Sequence, residues 1–355
     1  MSDIKRDSDL ILRAGELIAS GGIVAIPTET VYGLGANALN PKAVAKVFEA
    51  KGRPSDNPFI VHICERRQLS ELCHHVPAEA AALAERLWPG PLTLVLPRKS
   101  HIPDIVTAGL DTVGIRFPSH PIARAIIKAS GVPVAAPSAN LSGRPSTTSF
   151  AHTFEDLNGR VDAIVDGGDA YAGVESTVIS VKKGSIRLLR PGVITLEDIS
   201  QALSEQGIER CEIILDEALR RKLTADERPR APGMKYRHYA PRAPVTAFTG
   251  APALTAEEIR RRCGGREHMA VLCFDEYRDM FKNAVSYGSK NDMAAQAHNL
   301  FDALRRFDEM EGVEEILAQC PSDEGVGLAV ANRLKKAAGF NVVEVGKEQT
   351  LFWER

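Results

Sequence analysis

No run of about 18 uncharged apolar residues occurs in the 355-residue chain, so no bilayer-spanning helix is expected. No secretory leader is expected either. The opening MSDIKRDSDLILRAGELIAS is charged and reads as an amphipathic first helix rather than a signal with an apolar core, so a cytoplasmic protein is expected. The six cysteines, Cys64, Cys73, Cys211, Cys263, Cys273 and Cys320, include no C-x-x-C pair, which argues against a zinc site or disulfide framework and for reduced thiols. His74 and His75 face different ways if helical and lack any H-x-x-x-H or H-E-x-x-H spacing, so they read as surface residues. An excess of one charge is missing as well: 44 Lys and Arg against 46 Asp and Glu give a formal net charge of -2. The molecule as a whole is therefore no electrostatic trap for nucleic acid, and any anion site must be local. Both G-x-x-x-x-G-K-[ST] and G-x-S-x-G are absent, which removes the P-loop and the hydrolase elbow.

What is present is a globular composition, 44% hydrophobic and 25% charged, on a chain long enough for about two domains. Residues 1–215 alternate strand-like and helix-like segments. GGIVAIPT, NPFIVHI, PLTLVLP and TVGIRFP read as strands, PKAVAKVFEAK as a helix opened by Pro41 after Asn40, and PAEAAALAERLW and HPIARAIIKAS as further helices. VPVAAPSAN reads as extended and then turning, and DAIVDGG and STVISVKKGSIRLLRPG as strands, the last folded into a hairpin at Lys183-Gly184. Residues 216–244 break the rhythm. They are proline-rich, without apolar periodicity, and carry eight Lys or Arg against four Asp or Glu, the composition of a linker or a functional loop. From 245 to 355 strands and helices alternate again, with Met293, Ala297, Leu300, Phe301, Leu304 and Phe307 on one face of a long helix. This predicts a small parallel sheet covered by helices, Rossmann-like in topology.

Three features are candidates for chemistry. Gly33-x-Gly35-x-x-Ala38 follows an apolar strand as a dinucleotide-binding turn does, but a polar, bulky stretch intervenes and no acidic residue ends a second strand about 20 residues on. A second set gathers polar residues at the ends of extended segments: Thr28, Thr30, Lys51, Arg53, Asn57, His62, Arg116, Ser138, Asn140, Ser176, Thr177 and Arg190. In an open α/β sheet ligand sites lie outside strand ends, so such residues can converge on one pocket. Arg116, between Ile115 and Phe117, must bury its stem, and its desolvated guanidinium needs a carboxylate or phosphate from a ligand or from the protein itself. Lys51 and Arg53, held by Gly52, Pro54 and Pro58, fit either a phosphate clamp or a solvated loop, and His62 alone fits a core histidine. Third, APGMKYRHYAP at 231–241 packs Lys235, Tyr236, Arg237, His238 and Tyr239 together, which suits docking on a base and phosphates, or on RNA, better than a tether.

The segments PTETVYGLGANA, KGRPSDNPFIVHI, LWPGPLTLVL, VGIRFPSHP, VAAPSANLSGRPSTTS, ESTVISV and LLRPG, followed by APGMKYRHYAP, resemble the two-domain form of L-threonylcarbamoyladenylate synthase. The resemblance is dense over residues 15–243 and rests beyond them on the Rossmann-like pattern. It implies an α/β protein: a YrdC-like catalytic domain at 1–215 with a twisted mixed sheet and a concave active-site surface, a linker and active-site lid at 216–244, and a smaller Rossmann-like domain at 245–355. The implied activity is that of a nucleotidyltransferase joining L-threonine, bicarbonate and ATP into threonylcarbamoyl-adenylate with release of pyrophosphate. The adenylate would then pass to a tRNA threonylcarbamoyl transferase for modification of the adenosine beside the anticodon. By this likeness Lys51, Arg53, Ser138 and Asn140 are the catalytic set. Arg53, Asn57, Thr112, Ser138, Ser146, Arg190 and Tyr236 would contact ATP, and Thr30, His62, Arg116, the backbone at Ala136, and Ser176 would hold L-threonine. Mg2+ is expected to ride on the triphosphate, as magnesium usually binds through substrate phosphates and water. No protein metal cluster, little or no direct tRNA binding and no membrane contact are expected. Two rival readings are a double-stranded RNA-binding module, which would need a basic stripe where these cations sit singly, and a carbamoyltransferase on the same domain, which normally carries extra cysteine pairs. No residue-level role follows for residues 250–355, and RCEIILDEALRRKLTADERPR matches none of the motifs.

Overall fold

The computed structural model describes residues 2–219, 221, 224, 227, 229–232 and 238–346. The first sheet contains β1 (Val24–Ile26), β2 (Gly33–Asn37), β3 (Ile60–His62), β4 (Leu92–Pro97), β5 (Thr112–Arg116), β6 (Val134–Ala135), β7 (Ala163–Ile164), β8 (Thr177–Lys182), β9 (Ser185–Arg190) and β10 (Glu212–Leu215). Their order is β10-β9-β8-β4-β5-β3-β6-β2-β1-β7, with parallel and antiparallel pairs mixed. The helices are α1 (Ser2–Ala19), α2 (Pro41–Lys51), α3 (Gln68–Leu72), α4 (Ala78–Leu87), α5 (Asp104–Thr107), α6 (Pro121–Ser130), α7 (Phe150–Leu157) and α8 (Leu196–Ser204). Strand periodicity sorts them into layers. Ile23 and Ala25 face the core under α2 and α4, whereas Val24 and Ile26 face the smaller core under α1 and α6. Asn40 caps α2 as its sequence suggests, accepting from the amides of Lys42 and Ala43.

Gly33–Asn37 is no phosphate-binding turn. It is β2, paired antiparallel with β1, and a Cβ at Gly35 would lie 3.0 Å from Val134 Cγ1, so the glycine serves sheet packing. The unplaced stretch after Arg210 supplies β10, which extends the sheet edge parallel to β9.

The second sheet contains β11 (Val245–Thr249), β12 (Met269–Cys273), β13 (Ala284–Ser286), β14 (Glu315–Gln319) and β15 (Val342–Glu344), in the order β13-β12-β14-β11-β15. Every pairing in it is parallel, as the alternating pattern predicted. Helix α9 (Pro252–Cys263) covers one face, and α10 (Met293–Glu309) and α11 (Gly327–Ala337) cover the other.

The two halves share a boundary that is itself core. Val31 and Val174 of the first domain and Tyr239 of the linker join the apolar cluster of α10 and α11. Arg305 of α10 reaches Asp156 at 2.8 Å and Arg333 of α11 reaches Glu175 at 3.0 Å, all four buried. At Gly173, with φ of 72°, a Cβ would fall 2.3 Å from the Ala297 carbonyl oxygen on α10. Gly173→Ala therefore combines backbone strain with overlap against a helix backbone that cannot yield, and is expected to cost at least about 2 kcal/mol. A thermal unfolding midpoint equal to that of the parent would contradict this account of the boundary.

Candidate active site

Strand register assembles the site. His62 on β3 pairs with Arg116 on β5, Arg116 with Thr93 on β4, Thr93 with Val178 on β8, and Val178 with Arg190 on β9. These five residues form one row across neighbouring strands, so side chains far apart in sequence meet on one stretch of the sheet. The ladder is irregular at Val178/Ile179, and such bulges re-aim the side chains next to them, here Arg190.

A pocket opens on this row. Among the described residues its lining includes Thr28, Thr30, His62, Arg116, Ala136 and Ser176 together with Arg53, Ser138, Asn140, Glu175 and Arg190, and Pro232, His238 and Tyr239 of the linker also contribute. All five residues assigned by resemblance to L-threonine are thus together. Arg116 Nη1 donates to Thr30 Oγ1 at 2.9 Å, and Nη2 lies 2.8 Å from Glu29 Oε1 in a buried ion pair. Its Nε is buried without a hydrogen-bond partner among the described residues. The protein itself thus supplies a carboxylate for Arg116, and Glu29 is the partner that sequence reasoning missed. Burial alone would raise the Glu29 carboxyl, but the charge and hydrogen bond of Arg116 outweigh it and hold the group below its ordinary value. Ser176 Oγ shares a hydrogen bond of 2.8 Å with Thr93 Oγ1 and accepts from Arg190 Nη2 at 3.1 Å. The Ala136 amide is taken by the Ile60 carbonyl.

His62 is 3% exposed, and its Nδ1 has no hydrogen-bond partner among the described residues. Burial, reinforced by Arg116, lowers its pKa to about 3. The unfolded chain takes up this proton near 6.5 while the folded chain resists it, so the stability His62 confers is complete above 6.5 and is lost as pH falls toward 3. Relative to a His62→Asn variant, the protein is expected to lose about 1.4 kcal/mol per pH unit below 6.5. Parallel pH profiles of the two unfolding free energies would contradict the buried neutral histidine.

The phosphate side departs from expectation in several places. Lys51 is buried and does not line the pocket; its Nζ donates to the carbonyls of Ser138 and Asn140, both at 2.5 Å. It braces the 138–140 turn from behind, and burial, with Arg53 adding to it, drives its pKa well below 10.5. Arg53 does line the pocket, held by Asn57 O at 3.2 Å and lying 5.0 Å over the Phe59 ring. Ser138 Oγ donates to Asn140 Oδ1. Asn57, Thr112 and Ser146 lie outside the lining. Asn57 is buried in the turn before β3, Thr112 begins β5 at the end away from Arg116, and Ser146 donates to Glu175 Oε1 at 2.6 Å behind the wall. Thr177 also turns away, donating to Ile194 O. Tyr236 lies outside the described residues.

Glu175, also missed in sequence, is the one carboxylate among the described lining residues. Burial raises its carboxyl, but Arg333, Arg190 and Ser146 together bring it below its ordinary value. Arg190 is buried and lowered to about 10 by desolvation against the pull of Glu175.

Residues 16–192 match a family profile described as telomere recombination (Sua5, YciO and YrdC), and residues 194–339 match one described as threonylcarbamoyl-AMP synthase, C-terminal domain. The threonylcarbamoyl-AMP synthase of Bacillus subtilis is 46% identical over 96% of each chain, and that of Pyrococcus abyssi is 45% identical over 94% of this chain and 95% of its own. The crystal structure of P. abyssi Sua5 complexed with L-threonine superposes with a TM-score of 0.88 at 44% identity, covering 95% of this chain and 96% of that one. With both domains matched along nearly their whole length, the chain belongs to the two-domain threonylcarbamoyl-AMP synthase family.

Proposed function

We propose that the protein condenses L-threonine, bicarbonate and ATP into L-threonylcarbamoyladenylate and pyrophosphate. The observation that carries this reading is the convergence of Thr30, His62, Arg116, Ala136 and Ser176 in one pocket with Arg53, Ser138, Asn140 and Arg190. Arg116, a cation on the pocket lining, meets the amino-acid carboxylate in a charge-assisted contact in a desolvated site. His62 is too weakly basic to take a proton near neutrality and serves as a neutral hydrogen-bond partner. Attack of a carbamate oxygen on the α-phosphorus brings anion to anion, and Arg53 and Arg190 supply the compensating charge, with Ser138 and Asn140 at the junction. Asn57, Thr112, Ser146 and Tyr236 remain assigned to ATP by resemblance.

Magnesium enters as part of the nucleotide substrate. Glu175, the carboxylate on the pocket wall, is already engaged by Arg333 and Ser146, so the ion would be held by substrate phosphates and water. The product would pass to a separate tRNA-modifying transferase in the cytoplasm. The pocket cations Arg116 and Arg190 are buried and Arg53 is partly so; none belongs to an exposed basic stripe of the kind an RNA module requires. Among the described residues no helix is long and apolar enough to cross a membrane. The test is pyrophosphate release from ATP and bicarbonate with and without L-threonine, with the product identified by mass. Threonine-dependent release of the adenylate is expected, and release indifferent to L-threonine would overturn the reading.

A further inference from the structure

Arg190 makes its hydrogen bonds to Ser176 O, Ser176 Oγ and Pro232 O, all neutral acceptors, and among the described residues it forms no ion pair. A buried guanidinium in that state is unusual, because buried charges are ordinarily paired. A carboxylate is at hand: Glu175 lies on the same pocket wall, and each group perturbs the other's ionisation. Its two oxygens are occupied elsewhere, Oε2 by Arg333 Nε at 3.0 Å and Oε1 by the Ser146 hydroxyl at 2.6 Å. Arg333 also donates to the Glu175 carbonyl at 3.3 Å and to the Pro191 carbonyl at 2.6 Å, one residue past Arg190. It is fully buried, on a second-domain helix that also buries Asn332 and Lys336.

We propose that Arg333 is a positioning residue for the nucleotide: by engaging Glu175 it keeps that carboxylate off Arg190 and leaves Arg190 with an uncompensated charge for a phosphate. This rests on the adenylate-forming reading of the site. Without Arg333, Glu175 is a buried carboxylate beside a buried cation, and the low local dielectric draws the two together. A phosphate would then have to displace an internal ion pair. The second domain, none of whose described residues lines the pocket, thus contributes to the chemistry by deciding which arginine the carboxylate holds.

A merely adhesive Arg333, binding the domains together, predicts something different, and the full-length protein separates the two. ATP binding is measured by calorimetric titration of the parent, Arg333→Gln, and the Glu175→Gln/Arg333→Gln double variant, with unfolding midpoints taken in parallel. Arg333→Gln is expected to weaken ATP binding about tenfold or more, as loss of one member of a buried charge pair does. The double variant, which has no carboxylate left to capture Arg190, is expected to recover to within about threefold of the parent, a coupling that independent effects would not give. A folded Arg333→Gln protein that binds ATP like the parent, or a double variant no tighter than the single, overturns the proposal. If Arg333→Gln does not fold, the double variant carries the test alone, and a tenfold loss in it overturns the proposal. A parent protein that takes up no ATP overturns the adenylate-forming reading itself, whereas tight parental binding with an unimpaired Arg333→Gln overturns only the role of Arg333.

Discussion

Arg116→Met is expected to abolish measurable turnover of L-threonine and to destabilise the protein, two effects with separate causes. The variant loses the pocket-lining guanidinium that Thr30 orients, and removing one partner of such a desolvated charge contact costs about 2–5 kcal/mol of binding. It also strands Glu29, fully buried, without its counter-charge, worth about 3–5 kcal/mol of stability. The Glu29→Gln/Arg116→Met double variant should regain much of the second loss and none of the first. The Glu29 carboxyl is held low, so the pair's contribution is present above the ordinary carboxylate value near 4.5 and fades as pH drops through the lowered one. An unchanged KM for L-threonine in the folded Arg116→Met protein would remove the arginine from the amino-acid site.

The second large effect concerns Lys51, where the structure changes the reason for the expectation. A phosphate clamp at the rim would lose activity on truncation and little stability. Instead the Lys51 ammonium holds the carbonyls of Ser138 and Asn140, so Lys51→Ala leaves both acceptors buried and lets the 138–140 turn relax. Adenylate formation is expected to fall by at least about a hundredfold, since small displacements of positioning groups have effects of that size. Stability should fall by about 1–3 kcal/mol for the unsatisfied polar groups. Arg53→Ala, at a half-buried residue on the lining, should lose activity with a smaller stability change. Comparable melting temperatures for the two variants would argue that Lys51 is not a brace, and full turnover by Lys51→Ala would remove it from the catalytic set.

Much of the fold was legible because strand and helix periods are local properties. Asn40-Pro41 marks the start of α2, and the alternation after Val245 identified a parallel sheet. Gly33 to Ala38 misled because a glycine-rich strand crossing close to Val134 looks, in one dimension, like a phosphate-binding turn. Half of the site was legible for a related reason. Arg116 and His62 are polar residues in apolar strands, which flags them without knowledge of their partners. The partners were not legible, since Glu29 meets Arg116 across 87 positions and Glu175 meets Arg333 across 158. One signal was available: Asn332, Arg333 and Lys336 interrupt the apolar pattern of α11, and a helix buried on nearly every side has no solvent to offer them. Charged residues in such a helix point to a polar interface with another layer.

That interface makes the two sheets a single cooperative body. Parting them would uncover Asp156, Glu175, Arg305 and Arg333 and open the shared cluster around Val31, Val174 and Tyr239. A protease that nicks the linker should therefore leave two fragments that still travel together on a sizing column, and calorimetry should record one endotherm where two domains would suggest two.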